Sequence, residues 1–120
     1  MHPEVRKQLD GALEHHRAGA VDEAERLYRR ILDRDPECAD AWHLLGLIEH
    51  QRGRSSEAVA RIERAVSLSP RFAAAWSNLG RALRSEQRGE EALQAFRRAL
   101  ELAPEMVEAR FNLATALHDR

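Results

Sequence analysis

Apolar residues recur along the chain three and four positions apart, in short segments that glycine or proline interrupts, which is the spacing of a buried stripe on an amphipathic helix. The first segment, Glu4 to Arg17, carries Val5, Leu9, Ala12 and Leu13. Pro3 stands in its opening turn, where a missing N–H costs nothing, and Gly19 closes it. Gly11 in mid-helix costs about 1 kcal/mol relative to alanine. The second segment, Val21 to Arg34, has a stripe of Ala24, Leu27, Tyr28 and Ile31, and opens with Asp22 and then Glu25, the form of a capping box. Asp35-Pro36 stops it, because the residue before a proline is pushed out of the helical region. Ala39 to Gln51 follows, with Trp42, Leu45, Gly46 and Ile48 inward. Gly53 breaks it, and Ser56 to Leu68 turns Ala58, Ile62 and Ala65 inward before the stop at Ser69-Pro70. A third pair runs from Ala73 to about Gln87 and from Glu90 to Leu102, closed by Ala103-Pro104, and a last helix starts at Val107. The pattern predicts an all-α chain of about seven helices.

Two of these pairs are one pattern written twice. AxAWxxLG occurs at Ala39 to Gly46 and again at Ala73 to Gly80, 34 residues later. At that offset, Ala39 to Phe72 and Ala73 to Met106 share twelve identical residues, among them Trp42/Trp76, Gly46/Gly80, Ala58/Ala92, Ala65/Ala99 and Pro70/Pro104. A fixed period of this size marks a stacked-repeat architecture, in which each unit buries its face on the next. The small residues fall where the two helices of a pair must approach, Gly46 with Ala58 and Ala65, and Gly80 with Ala92 and Ala99. A bulky residue there would force the helices apart.

Composition narrows the function. The 120 residues suit one domain, spanning 1–120, and the formal net charge of -1, from 19 basic and 20 acidic residues with signs interspersed, offers no basic field for nucleic acid. Cys38 alone allows no internal disulfide and no metal-ligand spacing, and it reads as a small residue in an inter-repeat turn. No apolar run is long enough for a signal peptide or a membrane span, which predicts a soluble, cytoplasmic protein without membrane insertion. Lys7 is the only lysine, which points to GC-rich bacterial coding. No Ser/His/Asp or Cys/His set sits on a strained turn and no glycine-rich loop follows a strand, so no catalytic residue, cofactor or metal is expected. The carboxylates lie at helical spacing beside arginines, as solvated pairs do.

The motif W-x2-L-G, then A-x3-(Y/F/I), then P, in 34-residue units, resembles the tetratricopeptide repeat (TPR). The resemblance covers nearly the whole chain, as repeats 5–38, 39–72 and 73–106 and a partial repeat or capping helix 107–120, and it implies an α-solenoid of antiparallel helix pairs. The first unit departs from the motif, with Gln8 where Trp42 and Trp76 stand and Gly11-Ala12 in place of Leu-Gly. In the third, Gly89 falls two residues later than Gly19 and Gly53 predict, so its inner turn need not share their shape. Phe111, Leu113, Ala114 and Leu117 of the last helix would normally be half covered by a following helix, which leads to the expectation that the chain is the N-terminal part of a longer protein.

Stacked pairs curve, and the first helix of each lines the hollow side. By spacing, its face opposite Trp42 and Leu45 presents His43, Leu47 and His50 in the second unit, Ser77, Asn78, Arg81 and Arg84 in the third, and Phe111, Asn112 and Thr115 in the fourth. Asn78 and Asn112, 34 residues apart, would form a short ladder whose carboxamides match a peptide backbone. This resembles the ladder of protein O-linked N-acetylglucosamine transferases, although Asp10 and Leu44 fill the other places. The family's clamp for a C-terminal carboxylate needs basic residues where Leu9, Leu13, Leu44 and Ala74 stand, so chaperone tails do not fit. His16 and His50 recur one period apart. Neighbouring helices lie about 10 Å apart and zinc needs nitrogens within about 2 Å, so a groove cationic at mildly acid pH is favoured over a metal site.

The sequence therefore predicts a non-catalytic protein-interaction scaffold whose groove takes a peptide or helix, with Arg81 and Arg84 favouring an acidic segment. Two alternatives stand beside it. The array resembles N-terminal, substrate-recruiting modules of bacterial glycosyltransferases and sulfotransferases, and the uncovered last helix could dock on a second copy.

Overall fold

A computed structural model describes residues 2–119. Among them are seven helices and no strand: α1 (Pro3–Arg17), α2 (Val21–Arg34), α3 (Ala39–Gln51), α4 (Ser55–Leu68), α5 (Ala73–Ser85), α6 (Gly89–Leu102) and α7 (Val107–His118). The boundaries follow the glycine and proline punctuation to within two residues. Pro3 occupies the first turn of α1, and the imidazole of His2 caps that end by accepting from the Glu4 amide at 3.1 Å. The capping box expected at the start of α2 does not form, since the helix begins without a side-chain cap. Asp22 and Glu25 instead both pair with Arg52 of the next unit, a guanidinium being a stronger partner for a carboxylate than a neutral amide.

Helices pair in sequence, α1 with α2, α3 with α4 and α5 with α6, and each pair packs on the next through α2 on α3, α4 on α5 and α6 on α7. First helices also touch one another, α3 to α5 and α5 to α7. The stack measures 43 × 26 × 22 Å. Its buried apolar residues form two clusters. One runs from Val5 through Tyr28 and Ile31 to Leu45 and Ile48, the other from Ala58 through Leu79 and Phe96 to Ala116. The closest approaches within pairs fall at the two glycines of the repeat. A Cβ on Gly46 would lie 2.5 Å from Ile62 Cγ1, and one on Gly80 would lie 2.6 Å from Phe96 Cδ1. Ala58, Ala65, Ala92 and Ala99 are fully buried beside them.

All three inner turns have the same shape. Gly19 and Gly53 take φ of 85° and 77°, and Gln87, at the equivalent place, takes 62°. The hydrogen bonds repeat as well: Gly53 N–H donates to His50 O at 3.0 Å and Arg54 N–H to Glu49 O at 2.8 Å, while Gln87 and Arg88 donate to Arg84 and Leu83 at 2.9 Å each. The displaced Gly89 therefore leaves the turn unchanged. The stacking of α5 on α6 holds Gln87 in a left-handed conformation that side chains disfavour. The turns between units repeat too. The Trp42 indole donates to the Pro36 carbonyl and that of Trp76 to Pro70, both at 2.8 Å, and Arg110 Nε reaches Pro104 O at 3.1 Å. The two tryptophans are half-buried, each tying its helix to the proline turn before it.

Candidate functional site

On the side lined by α3, α5 and α7, an open cavity of about 390 Å³ is bounded by His50, Arg81, Arg84, Ser85, Asn112 and Asp119, with buried Phe96 beneath. Four residues expected in the groove, His50, Arg81, Arg84 and Asn112, thus share one recess. Leu47 and Thr115 are half-buried nearby, and the Thr115 hydroxyl donates to the Phe111 carbonyl at 2.9 Å. Phe111 is 70% exposed, with Val107 at 73% and Leu117 at 41% on the same helix.

Two of the expected groove residues do not face solvent: His43 is 6% and Ser77 3% exposed. The His43 ring stands edge-on to Phe72, centroids 4.8 Å apart, and its Nε2 accepts from the Asn78 amide at 2.8 Å. Asn78 Oδ1 accepts from Arg81 Nη1 at 3.1 Å. Its carboxamide is thus partly spent inside the protein, while Asn112 opens on the recess. Burial drives His43 down to about 4, because the charged ring would lose its water. His50 is also pushed down, by burial and then by Arg81. Burial thus opposes the charging of His43 and His50, and the standing charges of the recess are the guanidinium groups of Arg81 and Arg84 and the carboxylate of Asp119, which pairs with Arg84.

The recurring histidines have a structural role. His16 Nε2 meets Gln51 Oε1 at 3.4 Å, His50 Nε2 meets Ser85 Oγ at 3.2 Å, and Arg84 Nε donates to Asp119 Oδ2 at 2.6 Å. With His43 and Asn78 these pairs are all 35 residues apart, one more than the period. Each joins the first helix of one unit to that of the next. The His16 Nδ1 also lies 3.2 Å from the hydroxyl of buried Tyr28, whose phenol burial pushes up to about 12. Two ring nitrogens so engaged with different partners are not arranged around one metal ion.

The opposite face carries charges that the helical spacing alone assigns to solvent. Glu49 of α3 is 1% exposed. Its Oε1 accepts from Arg61 Nε at 3.2 Å and lies 3.5 Å from Arg29, while Oε2 has no hydrogen-bond partner among the described residues. The Arg61 guanidinium lies 5.9 Å from the centroid of the Trp42 ring. Arg29 continues to Glu25 at 3.1 Å, and Glu25 to Arg52, which also pairs with Asp22. A signal for this network lies in the alignment of the two repeats: Glu49 and Arg61 stand where the next unit has Leu83 and Ala95.

Antiparallel helix pairs with a 34-residue period, stacked so that first helices line a polar recess, define a helical-repeat protein. The family model described as Tetratricopeptide repeat matches residues 9–70, 51–107 and 86–120, and the chain belongs to that family, whose members are typically protein-interaction modules. Among solved structures it is similar to an O-GlcNAc transferase of Thermobaculum terrenum, with a TM-score of 0.93 and 34% identity over 97% of this chain. It spans only 22% of that transferase. It shares its fold with the first TPR of Spaghetti (RPAP3) bound to the HSP90 peptide SRMEEVD (TM-score 0.91, 24% identity, 96% of this chain and 91% of that one). The Sgt2 TPR domain from Aspergillus fumigatus has the same fold (TM-score 0.91, 20% identity, 98% and 80%). No curated protein matches the chain in sequence. No helix among the described residues is long and apolar enough to cross a membrane.

Proposed function

We propose that residues 1–120 act as one non-catalytic module that binds an extended peptide or helix in the recess between α3, α5 and α7. The observation that carries this reading is the convergence of Arg81, Arg84, His50 and Asn112 on one open cavity. Two guanidinium groups favour a ligand with carboxylates: Arg81 spends one donor on Asn78 and Arg84 its Nε on Asp119, which leaves further donors of each fork for a guest. Asn112 supplies a backbone-matching carboxamide, and Leu47 and Phe111 supply apolar contact. The relative bound to SRMEEVD holds an acidic peptide, but this chain has no basic residue at the places a carboxylate clamp would use, so we favour internal acidic segments over C-terminal tails. The test is fluorescence anisotropy with labelled acidic, neutral and basic heptapeptides. Acidic peptides are expected to bind best, and an Arg81→Ala, Arg84→Ala double variant to weaken them about tenfold, a loss of about 1.4 kcal/mol. Equal binding of all three sets, or indifference to the double variant, would refute the reading.

A second reading has its own support. The 34% identity to part of a transferase favours a module that recruits substrate polypeptides to an enzyme. Tethering the acidic heptapeptide to a glycosyl-acceptor sequence and assaying modification by the full-length gene product would test it. No gain over the untethered acceptor would remove it.

A further inference from the structure

The two central repeats treat one position of the fold differently, and the difference points to a second binding site, on the face opposite the recess. On α5, Arg81, Arg84 and Ser85 line the recess, whereas Trp76, Leu79 and Leu83 lie half a turn away. Over that second face, α4 and α6 each pack on α5 and leave a notch of about 300 Å³, with Glu63, Glu91, Gln94, Ala95 and Arg98 around the tryptophan and leucines. One unit earlier, α2 and α4 straddle α3 in the same way. There the equivalent space is filled by the side chain of Arg61, whose guanidinium lies over Trp42 and pairs with buried Glu49. Ala95 stands in place of Arg61, Leu83 in place of Glu49 and Glu63 in place of Arg29. The unit that lacks the arginine keeps the tryptophan and gains a carboxylate at the rim.

We infer that the notch over Trp76 receives an arginine side chain from a partner polypeptide, seated as Arg61 is seated on Trp42. The guanidinium is weakly hydrated and stacks on an aromatic face, and its methylene stem suits the walls of Leu79, Leu83 and Ala95. Glu63 stands at the rim with a carboxylate that can accept from the incoming guanidinium. Glu91 is held by Arg88 at 2.6 Å and adds negative potential more than a direct contact. Arg98 is also at the rim, its charge offset by Glu101 at 3.2 Å, and the repeat has an arginine, Arg64, at the equivalent position one unit earlier. A cation there is thus compatible with occupancy. The acidic guest proposed for the recess and the basic side chain inferred here engage opposite faces, so neither reading depends on the other.

Each tryptophan indole N–H is hydrogen-bonded and reports its own site by NMR, the filled Trp42 serving as the internal control for Trp76. The probe is the peptide acetyl-Gly-Arg-Gly-amide, titrated into the full chain, with the norleucine analogue as an uncharged comparison. The expected result is a saturable shift at Trp76 and Ala95 with the arginine peptide, little change at Trp42, and a smaller response to norleucine. Ala95→Arg should fill the notch from within and cut the Trp76 response at least fivefold. Glu63→Gln, at an exposed site that tolerates change, should weaken the arginine response and leave the norleucine one. Equal shifts at both tryptophans, no saturable shift, or a response untouched by both variants would overturn the inference. Arg81→Ala should leave this titration unchanged, which separates it from the fate of the recess.

Discussion

His43 shows how one side chain converts its surroundings into a pH dependence. Its ordinary value is 6.5, and burial lowers it to about 4 in the folded chain. The unfolded chain therefore binds more protons between those values, and stability falls as the pH drops from about 6.5 towards 4. The stabilising contribution is complete above the upper value and amounts to about 3 kcal/mol. Urea unfolding of the wild type at pH 7.5 and 4.5 should show that loss. His43→Gln, which can still accept from Asn78, should flatten the difference while the exposed carboxylates contribute alike to both proteins. A second residue-scale contrast concerns glycine. A methyl group added at Gly11 would meet nothing within 4 Å, so Gly11→Ala should gain about 1 kcal/mol from helix propensity. Gly80→Ala drives a methyl into the buried Phe96 ring and should cost about 1–3 kcal/mol by overpacking despite the same propensity gain. Thermal unfolding that moves both variants in one direction would contradict this. Periodicity announces the tryptophans, glycines and alanines of the repeat, but not the burial of His43 and Ser77. The burial of His43 depends on the turn into the neighbouring unit, whose Phe72 covers its ring.

At the scale of elements, every helix is legible because proline and glycine punctuate the chain where the stripes end. What spacing does not reveal is chemistry between elements. Asp22 and Glu25 have the spacing of a cap, yet Arg52 lies 27 positions after Glu25 and takes both. Glu49 has the pattern of a solvated residue because its partners, Arg29 and Arg61, sit on two other helices. The inner turns show the converse, a tertiary demand overriding a local preference. Gln87 accepts φ of 62° because α5 and α6 must meet as α3 and α4 do. Gln87→Gly should relieve that strain and stabilise the chain by about 1 kcal/mol, whereas Gly53→Gln should cost about the same. Denaturant midpoints that leave Gln87→Gly unchanged or lower would show that the turn is unstrained.

For the whole molecule, stability is the sum of unit interiors and the faces between them, so it should be uneven along the stack. The centre, from α3 to α6, holds both repeat glycines and most of the buried side chains. In α7 only Ala109 and Ala116 are buried, and Val107, Phe111 and Leu117 stand out from the surface. Amide hydrogen exchange should therefore be fastest in α7 and slowest in α4 and α5. Equal protection throughout would mean that the stack opens only as one unit. The exposed face of α7 also permits association of two copies, and a sedimentation coefficient independent of concentration would exclude it.

The polar rungs between first helices advance by 35 positions while the repeat advances by 34. Each step along the trough therefore slips sideways by one residue, like the treads of a spiral stair. A guest of the kind proposed for the recess would lie along that diagonal, over the rung of His50 and Ser85 and then that of Arg84 and Asp119. Adding or deleting one residue in a connecting turn would turn one first helix against the next and break those rungs while leaving every helix intact, so the length of the turns sets the lining of the trough as firmly as its side chains do.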